Sequence, residues 1–218
     1  MKRDLFIVIC VLAGIFVSCT SDEKKANKLI KQYMFENLYD YESYQPTKTQ
    51  IDTLYYDIYL DSDVISAAYQ AYEYLEDAKE YKEKADYAKN EADMFKRHFG
   101  SSIMRGIHMD EYKNNMSKFN EKKLEALKNM RYILDMQAKS EDFEDLTIGW
   151  KVTHKFRCNN RGGNLSLGEY IFFIDRDFTE IFETIVCDED YEISKEIINV
   201  TLQSDRDAIL AEIESLEK

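Results

Sequence analysis

The apolar stripe between Val64 and Phe99 leaves little freedom in what this chain can build. Val64, Ala67, Ala71, Tyr74, Ala78, Tyr81, Ala85, Ala88, Ala92, Phe95 and Phe99 recur at alternating three- and four-residue spacing. A 3.5-residue average keeps one seam of a helix turned toward a partner helix. In one register the seam is Ala71, Ala78, Ala85 and Ala92, and side chains that small let two axes approach toward the low end of about 8–10 Å. The partner follows directly: Met109, Tyr112, Met116, Phe119, Ala126, Met130 and Ile133 form a matching stripe, interrupted at Lys123. Gly100 and Gly106 bracket a loop too short for anything but an antiparallel return. Asp61-Ser62-Asp63 offers N-cap side chains at the entry. Residues 62–139 are therefore expected as a helical hairpin about 50 Å long at about 1.5 Å per residue, with its tip near Ile103.

The flanking segments read differently. Residues 24–39 place Leu29, Ile30, Tyr33, Met34 and Leu38 near one helical face, and Pro46, the single proline, follows. Thr47 to Tyr56 reads as a strand. From Gly149 the period becomes two: Trp150, Val152, His154, Phe156 and Cys158 point one way, and Lys151, Thr153, Lys155 and Arg157 the other. Asn159 to Asn164 has turn chemistry, Leu165 to Ile174 is a second strand with a bulge expected at Gly168, and Phe178 to Val186 is a third. Beyond Asp188 the pattern is helical again. The fold class that follows is α+β. An N-terminal helix and a small antiparallel sheet of about four strands, in an order similar to the cystatin-like wrap, take the hairpin as an insertion after the first strand and close with a C-terminal helix.

The N-terminus carries an address. Lys2 and Arg3 precede an uninterrupted apolar run, Leu5 to Val17, which is too short to span a bilayer and fits a cleaved secretory signal. The stretch Phe16-Val17-Ser18-Cys19 resembles the lipobox of bacterial lipoproteins, in which the cysteine is acylated and the chain is cut before it. Residues 1–18 are thus expected as a signal peptide, 19–25 as a tether and 26–218 as one α+β domain. Removing the signal takes away Lys2, Arg3 and Asp4, a net +1, so the charge goes from −13 to −14. Acidity is concentrated toward the C-terminus, where residues 141–218 hold 19 acids and 8 bases. This balance excludes a nucleic-acid partner, which needs clustered Lys and Arg, and disfavours adsorption to anionic lipid, so acyl chains on Cys19 are the expected membrane contact. Cys158 and Cys187 remain after processing. In a three-strand meander they end strands that have another strand between them, too far apart for a disulfide.

Further segments resemble one group of proteins. Gly149-Trp150-Lys151-Val152-Thr153-His154-Lys155-Phe156-Arg157, with Asn160, Gly163 and Glu169-Tyr170-x-Phe172, is similar to a hairpin of small lipoproteins of Bacteroidetes; so are Ala26-x-x-Leu29-Ile30-Lys31 and Ser43-Tyr44-x-Pro46. Thr20-Ser21-Asp22-Glu23 looks like the export signal of such lipoproteins, and Asp52-Thr53-Leu54 resembles their O-glycosylation signal, with Thr53 the acceptor. The resemblance implies an outer-membrane lipoprotein facing the cell surface or the periplasm, with the surface favoured. It implies no activity.

Chemistry is sparse. His98 and His108 flank the expected tip but lack zinc-ligand spacing and read as wet surface residues. His154 reads as a hydrogen-bonded core histidine. Asp175-x-Asp177 and Asp188-Glu189-Asp190 fit turn and cap roles better than calcium. Arg161-Gly162-Gly163-Asn164 lacks the features of a phosphate loop, and no nucleophile elbow is present. The tyrosine-rich stretch from Tyr33 to Tyr59 could stack on sugars or pack a core. The expected function is a non-enzymatic, membrane-anchored binding or interaction module without a cofactor or metal. A protein inhibitor or immunity lipoprotein and a surface glycan-binding lipoprotein are the alternatives. Lys151, Lys155 and Arg157 form the candidate contact surface, with cross-strand pairing to Glu169 and Glu180 as the competing role.

Overall fold

A computed structural model describes residues 22–99, 101–140 and 147–218. Cys19, the signal segment and the cleavage site lie outside the described residues. The sequence reads residues 26–218 as one domain; the described residues divide by their contacts into two compact units, one of residues 22–56 and 147–188, the other of 57–99, 101–140 and 189–218.

The first unit is a helix on a sheet. Helix α1 covers residues 22–37, so residues 22–25, expected in the tether, are already helical. The strands β1 (Gln45–Leu54), β2 (Gly149–Asn159), β3 (Leu165–Ile174) and β4 (Ile181–Val186) form one antiparallel sheet in the order β1-β2-β3-β4. β1 is an edge, which is where a proline without an N–H is tolerated. The register shifts between Pro46 and Lys48, and such an irregular, charged edge resists pairing with other chains. The inner-face positions of β2 predicted from alternation are those that pack. Val152, Phe156, Phe172 and Ile174 meet Ala26, Ile30 and Met34 of α1, together with Phe178.

Gly168 corrects the sequence reading. No bulge occurs there, since Phe156 pairs with Gly168 in an unbroken β2–β3 register. The glycine makes room instead: an added Cβ would lie 2.4 Å from Cζ of Phe156. The slip in β3 falls between Phe173 and Ile174, opposite β4. The third strand is also shorter than expected, because Asp175 gathers a turn. Its carboxylate accepts from the Thr179 amide (2.6 Å), the Glu180 amide (2.9 Å) and the Thr179 hydroxyl (2.8 Å). These contacts, the Glu180 amide first, hold its carboxyl below the ordinary carboxylate value. Phe178 takes φ 56° in this turn, and its ring stacks on Trp150 at 5.3 Å. Cys158 and Cys187 are thiols. Cys158 pairs with Ser166, and the Cys187 amide donates to Glu169. Two strand spacings of about 4.8 Å and three residues of about 3.3 Å rise therefore separate them, beyond disulfide reach.

The second unit is the hairpin with two helices on it. Helix α2 spans Ser62–Met94 and α3 spans Ser102–Ser140. The Asp61 carboxylate caps α2 by accepting from the amides of Asp63 and Val64. Ala71, Ala85, Ala88 and Ala92 are fully buried and Ala78 nearly so, in the helix that packs on α3, where Ala126 and Ile133 are buried too. Lys122 crosses to Asp77 at 2.7 Å, and its ammonium sits over Tyr74, as that of Lys118 sits over Tyr81. The turn is tighter than expected. A π-helical turn, Phe95–Phe99, ends α2, and Gly106, read as loop, lies inside α3. The C-terminal segment is two helices, α4 (Glu189–Leu202) and α5 (Arg206–Leu216), broken where Asp205 caps the second. They pack on α2 and α3 respectively. That explains the break in the α3 stripe: Lys123 pairs with Glu212 of α5, beside the apolar contact of Leu127 with Ile209 and Ile213.

Candidate functional site

The first unit carries a cleft of about 740 Å³ between α1, the start of β1 and the middle of β2. Its geometry begins at Asp40. This residue caps a short 3-10 turn, Tyr41–Ser43, accepting from the Ser43 amide at 3.3 Å, and its other oxygen accepts from the Asn159 side-chain amide at 3.0 Å. The Asn159 bond, ahead of the Ser43 contacts, holds the Asp40 carboxyl below its ordinary value. Ser43 Oγ in turn accepts from the Asn159 backbone amide at 2.8 Å. The turn is thereby stapled to the end of β2, which sets the direction in which Tyr41 and Tyr44 leave the chain.

Tyr44 reaches inward. Its ring stacks on Tyr41 at 5.5 Å and lies 5.7 Å from that of Phe156. Its hydroxyl is 2.7 Å from Nε2 of His154, and Thr49 Oγ1 is 2.9 Å from Nδ1. His154 is 1% exposed. Burial favours the neutral imidazole and pushes its pKa down. Burial, and then Tyr41, pushes the Tyr44 hydroxyl up to about 12, so the phenol keeps its proton. Two hydroxyls, each able to give or take a hydrogen bond, satisfy either tautomer of a neutral ring. Both nitrogens of His154 are engaged, which fixes the ring as the floor of the cleft. The sequence expectation of a hydrogen-bonded core histidine matches this arrangement.

The walls combine apolar surface with charged and hydrogen-bonding groups. Glu23 and Glu42 supply two carboxylates, Lys31 and Lys48 two ammoniums, and Asn27 and Thr47 an amide and a hydroxyl; Ile30 and Pro46 add apolar surface. Opposite charges cancel, so the cleft offers a bound molecule many hydrogen-bonding groups and two tyrosine rings without a net field. Sequence reasoning noted the tyrosines and His154 but did not assemble this site. Its walls come from elements far apart in the chain, and although Ile30, Lys31, Tyr44, Pro46 and His154 fall in stretches that resemble small lipoproteins, nothing in those stretches marks a shared cavity.

The sequence-predicted contact residues lie elsewhere. Lys151, Lys155 and Arg157 stand on the opposite face of β2. Lys155 pairs with Glu169 across to β3 at 2.7 Å, the cross-strand role that competed with a contact surface. Both partners are partly exposed, so the pair contributes about 0.2–1 kcal/mol. Lys151 stands opposite Asp52 of β1, and Arg157 opposite Gln45 and Leu167. Glu180 sits in the turn before β4, away from them. Thr53 is exposed on β1 opposite Trp150. His108 differs from expectation: it is half-buried and stacks on Phe95 at 5.4 Å, while His98 is exposed. The acidic clusters take structural roles. Asp175 organises its turn as described, and Glu189, Asp190 and Glu192 occupy the first turn of α4, where acids favour the helix dipole. Among the described residues no group of three or more His, Cys, Asp or Glu side chains could hold a metal ion, and no helix is long and apolar enough to cross a membrane.

No family model matches the chain, and no curated protein or solved structure matches it.

Proposed function

We propose that this protein is a membrane-anchored bacterial lipoprotein of the outer membrane that acts as a non-enzymatic binding module, with the cleft of the first unit as its ligand site. The cleft carries this reading. At about 740 Å³ it falls within the range of small-molecule pockets, and its two carboxylates and two ammoniums balance, which suits a ligand without net charge. Its histidine is buried and held at both nitrogens by hydroxyls, so it forms a fixed floor beneath a bound molecule. Acylation at Cys19 supplies the anchor, and Cys19→Ala should release the protein from the membrane fraction or leave it uncleaved.

A neutral glycan is the more specific form of this reading, favoured by the rings of Tyr41 and Tyr44 among hydrogen-bonding side chains. Carbohydrate sites combine ring faces with such groups because sugars present C–H patches and hydroxyls together. The test is a screen of the purified protein against neutral oligosaccharides and short peptides, repeated with Asn27→Ala and Lys48→Ala. Binding lost in both variants at unchanged melting temperature supports the cleft. Binding indifferent to both changes, or no binding in either class, removes it.

A further inference from the structure

The tip of the hairpin in the second unit exposes apolar side chains in a stretch that carries cations and no acid. Ile103 is 76% exposed, Ile107 55% and Met104 37%. They stand on the first two turns of α3, with Ile103 and Ile107 four residues apart on one face. Lys96, Arg97 and Arg105 are exposed on the same stretch of chain, with Arg97 Nε donating to the Asp93 carbonyl at 3.3 Å. The chain has 42 acidic residues, yet none falls between Phe95 and His108. The nearest acids, Asp93 on α2 and Asp110 and Glu111 on α3, begin behind this segment. Exposed apolar side chains ringed by cations are the chemistry of an interfacial lipid contact, in which the apolar groups enter the acyl boundary and the cations meet phosphates.

The available area favours lipid over a folded partner. Two helices each about 10 Å across present an end face of roughly 200 Å², well short of the about 800 Å² per partner typical of a specific protein interface. A bilayer requires no complementary surface. Acids more than about 8 Å from the tip are largely screened at physiological salt, which leaves Asp93, Asp110 and Glu111 as the charges that oppose the contact. We infer that the hairpin tip docks on an anionic phospholipid surface, inserting Ile103, Met104 and Ile107 while Lys96, Arg97 and Arg105 pair with headgroup phosphates. This contact is independent of the cleft and of its ligand.

The test places a reporter at the tip. Full-length Met104→Trp is reconstituted with vesicles carrying brominated lipid, either pure phosphatidylcholine or a mixture containing one-third phosphatidylglycerol. The parent chain, whose single tryptophan is Trp150, supplies the background. Anchoring through the N-terminus is the same in both vesicle types, so the difference between them reads the tip. The inference expects several-fold more quenching of the new tryptophan in anionic vesicles. Adding Lys96→Glu and Arg97→Glu should abolish that excess, since each cation near an anionic surface multiplies binding roughly fivefold, and adding Ile103→Asp and Ile107→Asp should do the same. Equal quenching in the two mixtures, or none in either, overturns the inference and leaves the tip to an acidic protein. Ultracentrifugation of the full chain in detergent covers the remaining occupant. A dimer that becomes monomeric on Ile103→Asp and Ile107→Asp would assign the face to a second copy and overturn it equally.

Discussion

Gly168→Ala should destabilise the first unit although it adds a single methyl group to a strand. The new Cβ would stand 2.4 Å from Cζ and 2.8 Å from both Cε atoms of Phe156, well inside van der Waals contact. A ring tip can often swing away, but this one cannot. Phe156 is 2% exposed, and its ring lies 5.9 Å from that of His154, 5.7 Å from Tyr44 and 5.2 Å from Tyr170. Overpacking of that kind costs about 1–3 kcal/mol. Alanine recovers about 0.5–1 kcal/mol over glycine in a strand, because glycine loses more freedom on folding. The net loss is then about 0–2.5 kcal/mol, centred just above 1 kcal/mol. Trp150, the only tryptophan, lies in this unit against Phe178, so its fluorescence in a denaturant titration follows the first unit. Circular dichroism at the helical minimum follows mainly the hairpin unit and should not move. Phe156→Leu combined with Gly168→Ala should cost less than the sum of the two single changes, because the leucine vacates the space the methyl needs. A Gly168→Ala protein as stable as its parent by tryptophan fluorescence would show that the steric reasoning is wrong.

Two further outcomes test the other parts of the structure. Ala85, fully buried in the α2–α3 seam, should lose about 1–3 kcal/mol of hairpin stability as Ala85→Leu, whereas Glu83→Leu on the exposed face should change it by under about 0.5 kcal/mol; equal shifts in helical melting would refute the pairing. His154 gives the first unit a pH dependence. Its pKa is lowered from 6.5 by burial, so below that value the unfolded chain binds a proton that the folded ring does not, and stability falls with pH until the folded pKa is reached. Depressed Asp40 and Asp175 act in the same direction, but only below about 3.8. The melting temperature of the first unit should therefore drop as pH descends from 6.5, and His154→Gln should flatten that slope; parallel profiles would count against a neutral buried ring.

Much of the architecture was legible because it rests on periodicity. The 3.5-residue alanine seam specified two long antiparallel helices, and the two-residue alternation from Gly149 specified which face of β2 would be buried, since burial of one stripe or one face is a local property of spacing. The acidic clusters were likewise readable as turn and cap residues. What spacing could not convey was anything requiring two distant segments in contact. Gly168 reads as a bulge by itself and becomes a seat for Phe156 only when β2 pairs with β3. Lys123 breaks the α3 stripe until Glu212 arrives from α5 to pair with it. The cleft is the furthest case. Glu23, Lys48 and His154 come from a helix, an edge strand and a central strand, and only tertiary folding brings them to one cavity, because hydrogen bonds and charge balance depend on ångström-scale separations that a linear pattern does not contain.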